Sequence, residues 1–169
     1  TFKTNISDGV MLTGSHNPKN YNGLKIVFNK KSMTSEKIKQ IKLMIEEESF
    51  IDGAGQLTFL DVKDDYLKEL KEKININSKI KVCLDCGNGV GGVIAPQAFK
   101  LLGLDVIELY SEVDGNFPNH HPDPSNPKNL KDLQKKVLET NSDLGIALDG
   151  DGDRVGLIDN KGNIIFPDT

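Results

Sequence analysis

Asp149, Asp151 and Asp153 alternate with Gly150 and Gly152 directly after an apolar run, Leu144 to Leu148. Alternate residues of an extended chain share a face, so the three carboxylates are predicted to converge, and the glycines let the backbone curl around a cation. An all-oxygen donor set suits Mg²⁺ or Ca²⁺ rather than zinc. A solvated acidic turn is the plain alternative, but crowding three like charges disfavours it unless a cation compensates. An EF-hand counted from Asp149 requires Gly at its sixth position and Glu at its twelfth. Arg154 and Asn160 stand there instead. Three monodentate carboxylates leave an octahedral Mg²⁺ short of ligands, which water or a phosphate oxygen would supply. Arg154 can clamp a phosphate bidentately, or form a surface ion pair with one of the aspartates.

Thr13 to Pro18 places a hydroxyl, Ser15, beside an imidazole, His16. A nucleophile elbow needs G-x-S-x-G, and Asn17 stands where its second glycine belongs. By composition alone this stretch reads as an ordinary turn with a capping Ser. Gly87 to Gly92 fits G-x-G-x-x-G after a strand, with Glu108 about 20 residues on, which predicts either a dinucleotide loop or a tight strand-to-helix turn. Against the first, the following helix opens near Ala95 or Pro96, too late for Gly92 to pack its first turn. Cys83 and Cys86 have C-x-x-C spacing but fall on a strand, where half-buried structural thiols are expected. No spacing joins them to His120 and His121 in a zinc site.

These residues must be held by elements that the pattern also predicts. Leu24 to Phe28 reads as a short strand. Ser35 can cap a helix with Ile38, Ile41, Met44 and Ile45 at helical spacing, and Asp52 to Gly55 ends that unit. From Asp64 a helix (Leu67, Leu70, Ile74), a strand Ile80 to Leu84, a helix from Pro96 to Gly103 and a strand Val106 to Tyr110 follow. After them come a helix opening at Pro127 with Leu130, Leu133 and Val137, and the strand Leu144 to Leu148. Val155 to Ile158 and Ile164 to Phe166 flank a turn and predict a hairpin. Strand and helix alternation predicts an α/β fold, with a mixed, mainly parallel sheet and flanking helices over residues 62–166. Residues 1–61 hold one strand and one helix, too little for a core of their own.

The 169 residues carry 21 basic and 25 acidic side chains, a net charge of −4, so no basic field exists for nucleic acid or an anionic membrane. No apolar run reaches a membrane span, and residues 1–10 lack a signal-peptide layout. A cytoplasmic chain is expected. It begins at Thr1 rather than Met, and the expectation is a fragment.

Gly9 to Pro18 with Tyr21-Asn22-Gly23-Leu24-Lys25, and Asp149-Gly150-Asp151-Gly152-Asp153-Arg154, closely resemble the α-D-phosphohexomutase family. Asp114-Gly115-Asn116-Phe117-Pro118 through Pro124 also looks like its second domain. Gly14 and the Asn20 to Gly23 wording are most similar to the bacterial phosphomannomutase/phosphoglucomutase branch. The resemblance implies that Ser15 is the phosphoserine, and that Asp149, Asp151 and Asp153 hold Mg²⁺ together with a phosphoserine oxygen. It also implies that Arg154 steadies phosphate, that His16 and Lys25 serve proton transfer and phosphate electrostatics, and that Asn17 shapes the loop. Substrates would be hexose phosphates, with glucose 1,6-bisphosphate as activator. On this likeness residues 1–61 are the end of catalytic domain 1, 62–166 domain 2, and 167–169 the start of a link to domain 3. The third and fourth domains, which read the sugar and grip its distal phosphate, would be missing, leaving weak Mg²⁺ affinity and little activity. Two other classes remain: an NAD-dependent oxidoreductase built on the glycine loop, and a non-enzymatic cation-binding module.

Overall fold

The computed structural model describes residues 5–166. The chain divides into two compact units, the first made of residues 1–13 and 22–60, the second of 14–21 and 61–169. The loop carrying Ser15 therefore belongs with the later residues.

In the first unit β1 (Gly9–Leu12), β2 (Leu24–Phe28) and β3 (Lys31–Ser32) form an antiparallel sheet, with Gly9 opposite Val27 and Leu12 opposite Leu24. Sequence patterning predicts only β2. Its partners escape because β1 and β3 are short and largely exposed, with no alternation to mark a buried face. Thr13 N donates to Gly23 O at 2.9 Å, and a Cβ on Gly23 would stand 2.6 Å from Thr13 O, so the ladder closes only with glycine there. Helix α1 (Ser35–Glu46) follows, and Thr34, not Ser35, is its N-cap; the Thr34 side chain makes no capping hydrogen bond.

The second unit opens with α2 (Lys63–Lys73), whose Leu67 is buried. The remaining elements are β4 (Lys81–Asp85), α3 (Ala95–Leu101), β5 (Asp105–Leu109), α4 (Lys131–Thr140), β6 (Leu144–Leu148), β7 (Val155–Asp159) and β8 (Ile164–Ile165). Their sheet has the order β5-β4-β6-β7-β8. It is parallel across β5, β4 and β6 and antiparallel from β6 to β8, hence mixed, with half of its pairings rather than most of them parallel. The helix predicted at Pro127 begins instead as a 3₁₀ turn, Pro127–Leu130, which Asn126 caps by accepting from Lys128 N. The α-helix starts only at Lys131.

Cys83, Leu109, Leu130, Leu133, Val137, Ala147 and Ile158 build the core between α4 and the sheet. Gly145 admits the helix: a Cβ there would lie 2.7 Å from Val137 Cγ2. Asn141 ends α4 in the left-handed conformation, with φ 48°. Leu133 is fully buried, so Leu133→Ala is expected to lower the stability of this unit by about 2–5 kcal/mol, read by chemical denaturation. Strands β4 and β6 run side by side, and their carboxyl ends deliver Gly87–Val90 and Asp149–Arg154 to the same edge, the place where open α/β sheets present ligand-binding loops. No helix among the described residues is long and apolar enough to cross a membrane.

Candidate functional site

The β6–β7 hairpin is closed by Asp149–Arg154. Asp149 is fully buried and organises the turn: Oδ1 accepts from Asp153 N at 3.0 Å and Arg154 N at 3.1 Å, while Gly152 N donates to Asp149 O. Gly152 takes φ 74°, which favours glycine. The convergence expected from strand alternation thus has another cause. The chain wraps around the Asp149 carboxylate instead of running straight. Ligand oxygens of Asp149, Asp151 and Asp153 come within 4.8 Å of one another, running from buried Asp149 through partly covered Asp151 to exposed Asp153.

Ser15 arrives from the loop Gly14–Tyr21, where Asn17 N donates to Gly14 O and Tyr21 N to Pro18 O, each at 2.9 Å. Ser15 has φ 51°, uncommon for a residue with a side chain. That backbone aims Oγ at the hairpin, where it donates to Asp149 Oδ2 at 3.0 Å. Gly150 allows the approach, because a Cβ on it would fall 2.1 Å from Ser15 O. His16 lies beside them, Nδ1 at 3.4 Å from Ser15 Oγ and Nε2 at 3.3 Å from an Arg154 guanidinium nitrogen. Arginine only donates, so in that contact Nε2 is the acceptor. Arg154 Nε is also 4.0 Å from Asp149 Oδ2 and from Asp153 Oδ1. Burial opposes ionisation of nearby Asp123, yet hydrogen bonds from Ser125 Oγ and N, and the positive charge that His16 and His121 can carry, hold its carboxyl below the usual range.

Seven of the eight residues singled out by sequence, Ser15, His16, Asn17, Asp149, Asp151, Asp153 and Arg154, fall in one compact unit. Lys25 lies on β2 in the other, opposite Met11. The acidic triad could bind a metal: an all-carboxylate cluster with a hydroxyl at its edge fits a hard cation.

The glycine loop is otherwise engaged. Gly87 N donates to Asp85 Oδ1, Asn88 N to Tyr110 O, Gly89 N to Cys86 O, Val90 N to Gly150 O and Gly92 N to Gly89 O. Amides that would hold a pyrophosphate are thus bonded within the protein, and a Cβ on Gly92 would meet Ser111 O at 2.0 Å. Gly87–Gly92 is the tight turn, not a dinucleotide cradle. Cys83 and Cys86 are fully buried rather than half-buried. Cys83 Sγ lies 3.3 Å from Ser142 Oγ, and burial, with the charges of Asp85 and Glu108, pushes the Cys86 thiol up to about 11 despite a hydrogen bond from Ser111. His120 faces Asp85, and His121 stands edge-on to Phe117. Sequence reasoning missed Gly150 as the contact for Ser15 O; the only trace was its place between two aspartates.

Residues 64–162 match the family described as phosphoglucomutase/phosphomannomutase, alpha/beta/alpha domain II, and residues 1–52 match alpha/beta/alpha domain I. A phosphomannomutase/phosphoglucomutase from Pseudomonas aeruginosa is 54% identical over 160 residues, covering 95% of this chain and 35% of its own length. A phosphoglucomutase from Neisseria meningitidis is 43% identical over 162 residues, again covering 95% and 35%. The crystal structure of a phosphoglucomutase/phosphomannomutase family protein from Burkholderia thailandensis superposes with TM-score 0.93 at 40% identity, over 96% of this chain and 36% of that one. The chain thus spans about a third of the length of the relatives it matches.

Proposed function

We infer, since this chain belongs to the phosphoglucomutase/phosphomannomutase family, that Ser15 is the phosphate carrier of a hexose-phosphate mutase. The observation that carries the reading is Ser15 Oγ at 3.0 Å from Asp149 Oδ2, at the edge of the carboxylate triad. Residues 1–61 would be the end of the catalytic domain, 62–166 the second domain and 167–169 the start of the link onward, in a cytoplasmic enzyme whose remaining domains bind the sugar.

Phosphoryl transfer demands in-line positioning and neutralisation of charge on the equatorial oxygens. Asp149, Asp151 and Asp153 would hold Mg²⁺, which when bound supplies that neutralising charge next to Ser15. The left-handed Ser15 backbone keeps Oγ aimed at the carboxylates, and the Arg154 guanidinium grips the transferring phosphate. Phosphorylated Ser15 loses its Oγ–P bond as a hydroxyl of a hexose monophosphate forms a new one. The hydroxyl proton passes to His16 or Lys25. The resulting bisphosphate turns over and returns its other phosphoryl group to Ser15. Asn17 contributes the turn that presents the serine.

Incubating the full-length protein with glucose 1,6-bisphosphate and Mg²⁺, followed by phosphopeptide mapping, should place phosphate on Ser15. Ser15→Ala should carry none. An unmodified Ser15 in the wild type would overturn the reading.

A further inference from the structure

We propose that Asp85 and His120 form a buried, charged pin that fixes the Asp149–Arg154 hairpin through Pro122 and the Gly87–Val90 turn, making His120 a positioning residue for phosphoryl transfer. The functional half of this rests on the reading of that hairpin as the cation-holding loop.

Asp85, at the end of β4, is fully buried and uses both oxygens: Oδ1 accepts from Gly87 N at 2.9 Å, and Oδ2 lies 2.9 Å from His120 Nε2. His120 Nδ1 lies 3.0 Å from His121 O. Both ring nitrogens face acceptors, and only an imidazolium can donate to a carboxylate and a carbonyl together. The His120 side chain is 12% exposed. It stands edge-on to Tyr110, centroids 5.4 Å apart, and the Tyr110 hydroxyl donates to Asp132 on α4. Asp85, Asp132 and Tyr110 are thus titratable groups beside the ring, and the first two are carboxylic acids. Burial works against the imidazolium, but the hydrogen bond and charge of Asp85 outweigh it and raise the His120 pKa.

From this pair the chain reaches the hairpin by two short routes. Gly87 leads into Asn88, whose Oδ1 accepts from Asn119, next to His120 in sequence. Val90 N then donates to Gly150 O at 3.0 Å. On the other side Pro122, two residues past His120, is fully buried against Gly87 and within reach of Gly150: a Cβ on Gly87 would lie 3.2 Å from Pro122 Cβ, and one on Gly150 would lie 3.6 Å from Pro122 Cγ. Gly150 is the residue on which Ser15 O rests. The sign follows from the raised value: stability from the pin is complete below the unfolded histidine pKa and lost as pH rises through the folded one.

Nitrogen NMR of the three histidines at pH 7.5, with His120→Asn to identify the signal, tests the pin directly. The expected result is an imidazole carrying two slowly exchanging N–H protons, absent in the variant. On raising the pH, the Val90 and Gly152 amide signals should follow its deprotonation in the wild type, and His120→Asn should bind Mn²⁺ about tenfold more weakly. A neutral His120 at pH 7.5, or hairpin amides indifferent to its titration, would overturn the proposal, and both are read on the wild type even where the variant fails to fold. A wild-type chain that binds no Mn²⁺ while its amides track His120 would sink the cation reading and leave the pin standing.

Discussion

Replacing Asp149 with Asn is expected to weaken Mg²⁺ binding by at least about 100-fold, the upper end of what losing a mere outer partner of a metal ligand costs, while the chain stays folded. The two effects separate because the side chain has two tasks. Its Oδ1 accepts from the amides of Asp153 and Arg154, and an asparagine oxygen can do the same. Its Oδ2 accepts from Ser15 Oγ, and there asparagine offers an NH₂ group, which cannot ligate a cation and carries no charge. Asp149→Ala removes both tasks. The amides of Asp153 and Arg154 lose the acceptor that closes this part-buried turn, so this variant should unfold at a lower temperature as well. Titration calorimetry with Mg²⁺ beside thermal unfolding distinguishes the pair. Equal Mg²⁺ affinity in Asp149→Asn and the wild type would remove Asp149 from the ligand set.

Gly150→Ala is expected to be nearly as damaging, by a route that involves no ligand atom. The added Cβ would sit 2.1 Å from Ser15 O, more than an ångström inside the roughly 3.3 Å at which carbon and carbonyl oxygen meet in proteins. The obstacle is backbone, so no rotamer change relieves it. Opposite stands Gly89, where a Cβ would lie 2.7 Å from Gly150 O, so the hairpin cannot retreat that way either. Ser15 must then leave the carboxylates. The variant should lose phosphate incorporation at Ser15 and about 2–3 kcal/mol of stability, as overpacked sites do. Ordinary incorporation in Gly150→Ala would show that the serine is phosphorylated away from the hairpin.

Much of this was legible in the residues themselves. Leu144–Leu148 reads as a strand because it is short, apolar and bounded by polar turn residues, and it forms over those bounds. The aspartates, the serine loop and Arg154 are visible because their types and order are distinctive. What stayed hidden depends on the third dimension. Nothing in Gly9–Leu12 announces a strand, since its pairing with Leu24–Phe28 buries little of it. The wrap around Asp149 depends on hydrogen bonds four and five residues ahead, which an alternating pattern cannot express. The glycine loop was ambiguous for the same reason: spacing permits a phosphate cradle, and only the acceptors facing its amides decide against one. The pairing of His120 with Asp85 had no signal, because the two lie 35 residues apart.

The left-handed backbone of Ser15 bears on the choice of amino acid as well as on geometry. Threonine carries the same hydroxyl and would serve the chemistry equally well. A branched β-carbon is a genuine outlier at positive φ, so the conformation that presents the oxygen also bars the homologous alcohol. Among the genetically encoded alcohols, chain sterics rather than reactivity therefore make serine the resident of this loop.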